Sequence, residues 1–261
     1  MATEYTGTGT DAHTFRDARF TAVDLTGATF RDCDFRRAKI VDSWLTDVNF
    51  SGLIEHFFVN DVDVAPLVEA ELDRRNPERL QLRAMQSADD YRAMWATLEH
   101  LWSDTVARAC RLPESMLQER VDDEWSFVET LRHLVFATDA WAFRTVLDQP
   151  MPFDRLGLAH SAYPRQDAIA LGVEPDARPT LDEVLAVRAD RVARVRAIID
   201  GLTEAELERT CRRPPAPGYP DEPRTVGHCL RVVMDEECEH RRYANRDLAV
   251  LEARHGGAPR A

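Results

Sequence analysis

Two hydrophobic periods divide the chain. From Phe15 to Phe50 a large apolar residue returns at every fifth position: Phe15, Phe20, Leu25, Phe30, Phe35, Ile40, Leu45 and Phe50. Two residues before most of them stands a small or modest side chain, at Ala18, Val23, Ala28, Cys33, Ala38, Ser43 and Val48. An interval of five fits neither a helix nor a strand, so neither ordinary element accounts for the stretch. Downstream the spacing turns helical. Val64–Pro77 predicts a short helix ended by its proline. Ser87 is placed to cap a long helix, ADDYRAMWATLEHLWSDTVARA, with Met94, Leu98, Leu101 and Val106 close to one face. A second long helix is expected over Glu124–Leu147, carrying Phe127, Leu131, Leu134, Val135 and Trp141. A third begins at Thr180, where Thr180 and Glu183 have capping-box spacing, and a short piece, TEAELERT, follows Gly201. The fourth runs from Thr225 to His255 and should stop at Gly256 and Gly257. Four long helices predict a four-helix bundle. Asp148–Arg178, with Pro150, Pro152, Pro164 and Pro175, is long for a connection and reads as a crossover or an active-site lid.

The repeat resembles the pentapeptide-repeat family, with TGATF, RDCDF and RRAKI as good matches to its pattern. The resemblance implies a right-handed quadrilateral β-helix of about two coils, with the large and small residues of each repeat turned inward. The expected fold is therefore mainly α, a four-helix bundle preceded by a short β-helix. The boundaries this suggests are a flexible N-terminus at 1–12, the β-helix at 13–55, a connecting helix and linker at 56–87, the bundle at 88–255 and a tail at 256–261. The apolar Ile54–Val59 is expected to cover one open end of the coil, which suits an appendage used for docking or dimerisation.

Composition narrows the function classes. The formal charge of −13 opposes a nucleic-acid footprint, which needs clustered cations. Within the repeat, Asp17, Asp24, Asp32, Asp34, Asp42 and Asp47 are offset by Arg16, Arg19, Arg31, Arg36, Arg37 and Lys39, so acidic mimicry of DNA is not expected either. Lys39 is the only lysine among 33 basic residues, a bias that suggests a GC-rich genome such as an actinobacterium's. Five cysteines without CxxC spacing read as reduced thiols, and no run approaches a membrane span or a leader, so a cytoplasmic protein without membrane contact is expected.

The chemistry centres on Glu236 and His240. A spacing of four puts both on one helix face, about 6 Å apart along the axis. With His133, an imidazole on another apolar helix, they would make a three-ligand metal site that keeps one position open. Read residue by residue, a solvated Glu–His pair and a packed core histidine compete with this account. His228 is a poor alternative ligand, since twelve residues separate it from His240, or roughly 18 Å of helix.

WSFVETLRHLVFATDAW and MDEECEHRRYANRDLAVLE resemble the two signature helices of the DinB-like superfamily, which includes mycothiol-dependent isomerases and bacillithiol transferases. The likeness covers roughly 88–255 and implies a divalent metal held by a histidine on the second helix and an H-x-x-x-H pair on the fourth. His133 and His240 match; Glu236 stands where the family has its other histidine. A carboxylate still binds zinc, the first choice, or nickel, iron or manganese, and it lowers the net charge of the site, so a bound water or thiol is acidified less. The resemblance implies a metal-dependent thiol S-transferase or isomerase acting on a small-molecule thiol and an electrophile, with mycothiol a plausible low-molecular-weight thiol. The alternative is a non-catalytic metal-binding or scaffold protein that uses the repeat for interaction; homodimerisation stays open. His160 and Tyr163 are the catalytic candidates, and Arg241, Arg242 and Tyr243 are candidates for holding a cofactor carboxylate. Glu237 and Glu239 are expected on the surface or orienting a ligand, and neither Cys229 nor Cys238 is assigned reactivity.

Overall fold

The computed structural model describes residues 15, 18–31 and 33–257. By internal contacts the chain falls into two units, Met1–Glu69 and Ala70–Ala261.

In the first unit the backbone repeats with the sequence. Positive φ angles fall at Ala22, Gly27, Arg37, Asp42, Asp47 and Gly52, all multiples of five apart. Gly27, at +73°, adopts this conformation without a Cβ penalty. Asp42 and Asp47, at +50° and +56°, belong to one of the few residue types with side chains enriched in this conformation. Between these corners, the amides of Ala18, Ala28 and Ala38 donate to the carbonyls of Phe15, Leu25 and Phe35 at 2.9–3.0 Å. Among the described residues of 15–52 there is no strand; the turns carry the shape. The large residues meet one another, Phe30 and Phe35 at 5.3 Å between ring centroids, yet Phe30 and Ile40 leave 57% and 58% of their surface exposed. The inward-facing set is thus only half covered, because so few coils leave each layer short of neighbours. A two-stranded hairpin follows, β1 (Phe58–Val59) and β2 (Val62–Asp63), joined through Asn60 and Asp61, both at positive φ. Phe57, from the segment expected to cover the coil, lies 5.2 Å from Phe50.

The second unit is helical; α1 (Ala65–Arg75) begins in the first unit, and α2 (Glu78–Ala84) follows. Long α3 (Ala88–Ala109) opens on Ser87, which forms a reciprocal capping box with Asp90. After the short α4 (Glu114–Leu117) comes α5 (Phe127–Thr138). It begins at Phe127 rather than Glu124, because Ser126 and Glu129 make the capping box there. From Asp139 to Val146 the same helix continues with a π pitch, which the periodicity did not foretell. The crossover contains α6 (Arg165–Ala170); α7 (Leu181–Asp200) starts at the expected Thr180–Glu183 box. The short α8 (Glu204–Glu208) and the pair β3 (Thr210–Cys211) and β4 (Arg224–Thr225) lead to α9 (Val226–Gly257), which runs through the glycines expected to end it. Among the described residues no helix is long and apolar enough to cross a membrane.

In the bundle α3 and α5 each pack against α7 and α9, so α7 and α9 face one another across the core. One apolar layer holds Met94, Trp95, Leu98, Val195 and Met234; the other holds Trp102, Leu131, Leu134, Val184 and Leu248. Between them in sequence, on facing helices, lie Arg188 and Glu237, paired at 3.1 and 2.9 Å with side chains 7% and 2% exposed. Glu237 therefore belongs to the core, neither on the surface nor beside His133 or His240. Trp102 covers the guanidinium at 5.3 Å.

Candidate metal centre on the seam of α5 and α9

The acidic run of α9 shows how a helix distributes its side chains. With about 100° between neighbours, consecutive residues face different surroundings. Glu237 reaches across the core to Arg188, while Glu239 pairs with Arg242 at 2.7 Å and lies 3.4 Å from Arg79. Cys238 is buried among the apolar residues, and that burial, with the surrounding carboxylates, pushes its thiol up. Glu236 turns to α5.

There it meets both predicted partners. Glu236 Oε2 lies 3.3 Å from His133 Nε2 and 3.0 Å from His240 Nε2, and one ligand atom from each residue falls within 4.8 Å of the others. The two imidazole centroids are 4.6 Å apart. Burial opposes ionisation of Glu236, but hydrogen bonds and the nearby imidazoles outweigh it and hold the carboxyl well below the usual carboxylate range.

The other ring nitrogen of His133 decides what the cluster can hold. His133 Nδ1–H donates to the Leu158 carbonyl at 2.9 Å, and that carbonyl can only accept. In a neutral ring, the Nε2 lone pair then points at a carboxylate oxygen. Two acceptors facing each other at 3.3 Å need a positive charge between or upon them, either a second proton on the ring or a cation. A ligating histidine commonly donates its far N–H to a backbone carbonyl, as here. Two imidazoles and one carboxylate are a donor set that divalent zinc, nickel, iron and manganese accept, so the residues fit the ion.

A cavity of about 220 Å³ opens beside the cluster. On α5 and its π continuation, His133, Phe136, Ala137, Ala140 and Trp141 line it at i, i+3, i+4, i+7 and i+8. Trp125, just before the Ser126 cap, lies 4.6 Å from the ring of His133 and stacks at 5.8 Å on His240. His160 comes from the crossover and Tyr219 from the loop before β4. Tyr219 meets Trp141 edge-on at 5.9 Å, and burial pushes its phenol up.

Of the catalytic candidates, His160 lines this cavity and Tyr163 does not. Tyr163 is buried, donates its hydroxyl to the Pro217 carbonyl at 3.0 Å and has its phenol pushed up to about 12 by burial; it braces His160 at 5.7 Å instead. The cofactor candidates also part company. Arg241 turns to α2 and α3, donating to Glu78 at 2.8 Å and to Thr105 and the Leu101 carbonyl, so it is a packing residue. Arg242 pairs with Glu239 and lies 4.3 Å over the ring of Tyr243, outside the cavity lining. Tyr243 touches His240 at 6.1 Å. No guanidinium lines the cavity among the described residues, contrary to the expected carboxylate anchor. Trp125 and Tyr219 went unread in the sequence; the face repeating from His133 at helical spacing was the available signal for Phe136, Ala137, Ala140 and Trp141, whereas the Tyr219 loop offered none.

The crossover is a strap fixed to α5. Arg132 is 1% exposed and donates to the carbonyls of Leu156, Gly157, Glu174 and Ala177 at 2.9, 3.3, 2.8 and 2.7 Å. The Leu158 amide returns a bond of 3.0 Å to the Arg132 carbonyl. Seven residues on, buried Asp139 accepts from the Asp154 amide at 2.8 Å and from Arg191 at 3.1 Å.

Comparison with known proteins identifies the families of both parts of the chain. Pentapeptide repeats match in eight copies over residues 15–52. No curated protein is similar enough in sequence to count as a relative. A crystal structure of a protein from Streptococcus pneumoniae aligns at 16% identity and a TM-score of 0.45, covering 66% of this chain and 96% of that one, a likeness too slight to argue from. The DinB superfamily matches residues 97–244, more than half of the chain and the stretch that holds His133, Glu236 and His240, and the protein belongs to that superfamily.

Proposed function

We propose that the protein is a metal-dependent enzyme of thiol chemistry, a transferase or isomerase joining a small thiol to an electrophile. The observation that carries this reading is the convergence of His133 Nε2, Glu236 Oε2 and His240 Nε2 at the edge of an aromatic cavity. These three groups would hold a divalent ion, zinc first. When bound, such an ion is a Lewis acid that lowers the pKa of a thiol or water at its open position.

The chain's own residues do the rest. Glu236 supplies one negative charge, so a thiolate would bring the site near neutrality. Trp125 shields both imidazoles from one side, and Phe136, Trp141 and Tyr219 keep the approach apolar, which strengthens electrostatics within it. His160 offers an imidazole to accept the proton the thiol gives up. The sulfur then forms its bond to an electrophilic carbon, and the leaving group departs with the carbon's former bonding pair. The cavity, roughly seven waters in volume, suits the reactive end of a thiol such as mycothiol, with the remainder outside.

Elemental analysis of protein purified without an affinity tag tests the first half. About one divalent ion per chain is expected, lost in His133→Ala. Adding a thiol to the cobalt-substituted protein should then produce a sulfur-to-cobalt absorption band. Well-folded protein that takes up no metal would instead favour the scaffold reading, in which the repeat serves interaction alone.

A further inference from the structure

We propose that Arg132 is a positioning residue: its carbonyl cage fixes the strap that selects the tautomer and orientation of His133. The metal role of His133 rests on the reading above; the geometry of the clamp does not.

A buried guanidinium ordinarily meets a carboxylate. Arg132 meets only backbone oxygens in its hydrogen bonds. Nε donates to Leu156, Nη1 to Ala177, and Nη2 to Gly157 and Glu174, with the Pro175 carbonyl 3.5 Å from both terminal nitrogens. Burial pulls its pKa down and outweighs the charges of Glu129, Asp176 and Glu174, none of whose carboxylates is a hydrogen-bond partner of the guanidinium. A planar fork with five donors can gather oxygens from both limbs of the strap, 156–157 and 174–177, at once; an ammonium cannot. The arrangement is poor economy for stability alone, since an apolar side chain would fill the same volume without desolvating a charge.

Its position gives the reason. Residue 133 is the next in the chain, and the strap residue after Gly157 is Leu158. Leu158 donates its amide to the Arg132 carbonyl at 3.0 Å and accepts from His133 Nδ1 at 2.9 Å. The side chain of Arg132 thus holds 156 and 157, its own carbonyl holds the amide of 158, and the carbonyl of 158 holds the His133 ring. Nδ1 is thereby kept protonated and Nε2 left facing Glu236. Gly157 lets the strap come this close. A Cβ built there would lie 3.2 Å from the Asp154 carbonyl oxygen, tighter than such contacts ordinarily are, and would touch the Phe136 Cβ at 3.4 Å.

The test compares the full-length protein with R132M, R132K and G157A, and with I199A as a destabilised control in a core position away from the strap. 1H–15N NMR on metal-free protein reads the His133 Nδ1–H proton, which its bond to the Leu158 carbonyl should protect from exchange whether or not Nε2 also carries a proton. In the parent and in I199A that signal should be sharp. R132M and R132K should lose or broaden it, and G157A should weaken it less. Cobalt titration should give a roughly 10- to 100-fold weaker dissociation constant for R132M and R132K, the range typical of losing a ligand's supporting hydrogen bond. Folded R132M or R132K that keeps the parental Nδ1–H signal would overturn the proposal, as would I199A losing that signal to the same extent. Should R132M fail to fold, R132K and G157A carry the same readout. If the parent binds no cobalt, the functional reading fails while the Nδ1–H measurement still decides this one.

Discussion

In the repeat, Phe30 leaves 57% of its surface exposed; in the bundle, Phe143 leaves none, and Arg194 lies 3.7 Å over its ring. The same residue type serves two kinds of order. The repeat obtains its shape from backbone corners set every five residues, each determined locally, with little buried beneath them. The bundle obtains its shape from layers that exclude water, and within them it can hold charges in fixed places: Arg188 with Glu237, Arg132 among carbonyls, Asp139 with Arg191. Chemistry needs groups whose protonation and direction are imposed by their surroundings. Only the second kind of order supplies that, so the candidate centre lies in the bundle even though the repeat has the more regular sequence.

The sharpest way to break this contrast is to remove the charge between the two core layers. Glu237→Ala leaves the Arg188 guanidinium buried without its partner, which should cost about 3–5 kcal/mol in urea or thermal unfolding of the bundle. Replacing both, as in Arg188→Met with Glu237→Leu, should recover most of the loss, because the cost lies in the stranded charge. A loss below about 1 kcal/mol for Glu237→Ala would mean that water reaches the layer, and the bundle's capacity to impose charge states would be in doubt.

A second effect, smaller and of opposite sign in the two regions, is the response to pH. Burial pushes Asp139 up to about 6, against the pull of Arg191 and the Asp154 amide and with the help of the Asp154 charge. Its folded pKa exceeds the unfolded value of 3.8, so the folded state takes up the proton first as pH falls. The contribution of this carboxyl to stability is therefore greatest at low pH and declines as pH rises from about 4 to 6, by at most about 3 kcal/mol. Relative to Asp139→Asn, the parent should gain stability as pH is lowered through that window, measured from urea midpoints at each pH. A constant difference between the two proteins would show that Asp139 is solvated. In the repeat, the Thr26 hydroxyl and amide lower the pKa of exposed Asp24, so any contribution there fades as pH falls.

These cases also show what could be read from the sequence. The repeat was legible because its period is local, and so were the cap at Ser87, just before an apolar-periodic run, and the box at Thr180, closed by Glu183 three positions away; that Asp90 closes a box on Ser87 was not read. The meeting of Glu236 and His240 followed from helical spacing, and the approach of His133 from the resemblance to the superfamily. Destinations set by the third dimension were not legible. Nothing in EECEHRR says that Glu237 crosses to α7, that Arg241 turns to Glu78, or that the Leu158 carbonyl rather than a carboxylate near the ligands meets His133 Nδ1. Each depends on which helix lies opposite and how the chain between them returns.

The smallest predicted effect separates the inside of the repeat from its outside. Phe30 is half covered and meets Phe35 at 5.3 Å, whereas Trp44 is 99% exposed. Large apolar residues deleted from a full core cost about 3–5 kcal/mol, and partial cover scales this down to roughly 1 for Phe30→Ala. Trp44→Ala removes a larger side chain that buries almost nothing, so it should change stability by less than about 0.5 kcal/mol. The comparison is made on the unfolding of the repeat, followed by its near-ultraviolet dichroism, with the transition of the bundle as an internal reference. If both substitutions cost the same, the five-residue ladder has no inside, and the repeat is held by its corners alone. If Phe30→Ala costs as much as a core deletion, the ladder is covered more completely than its exposed surface indicates, and the two kinds of order differ in extent rather than in kind.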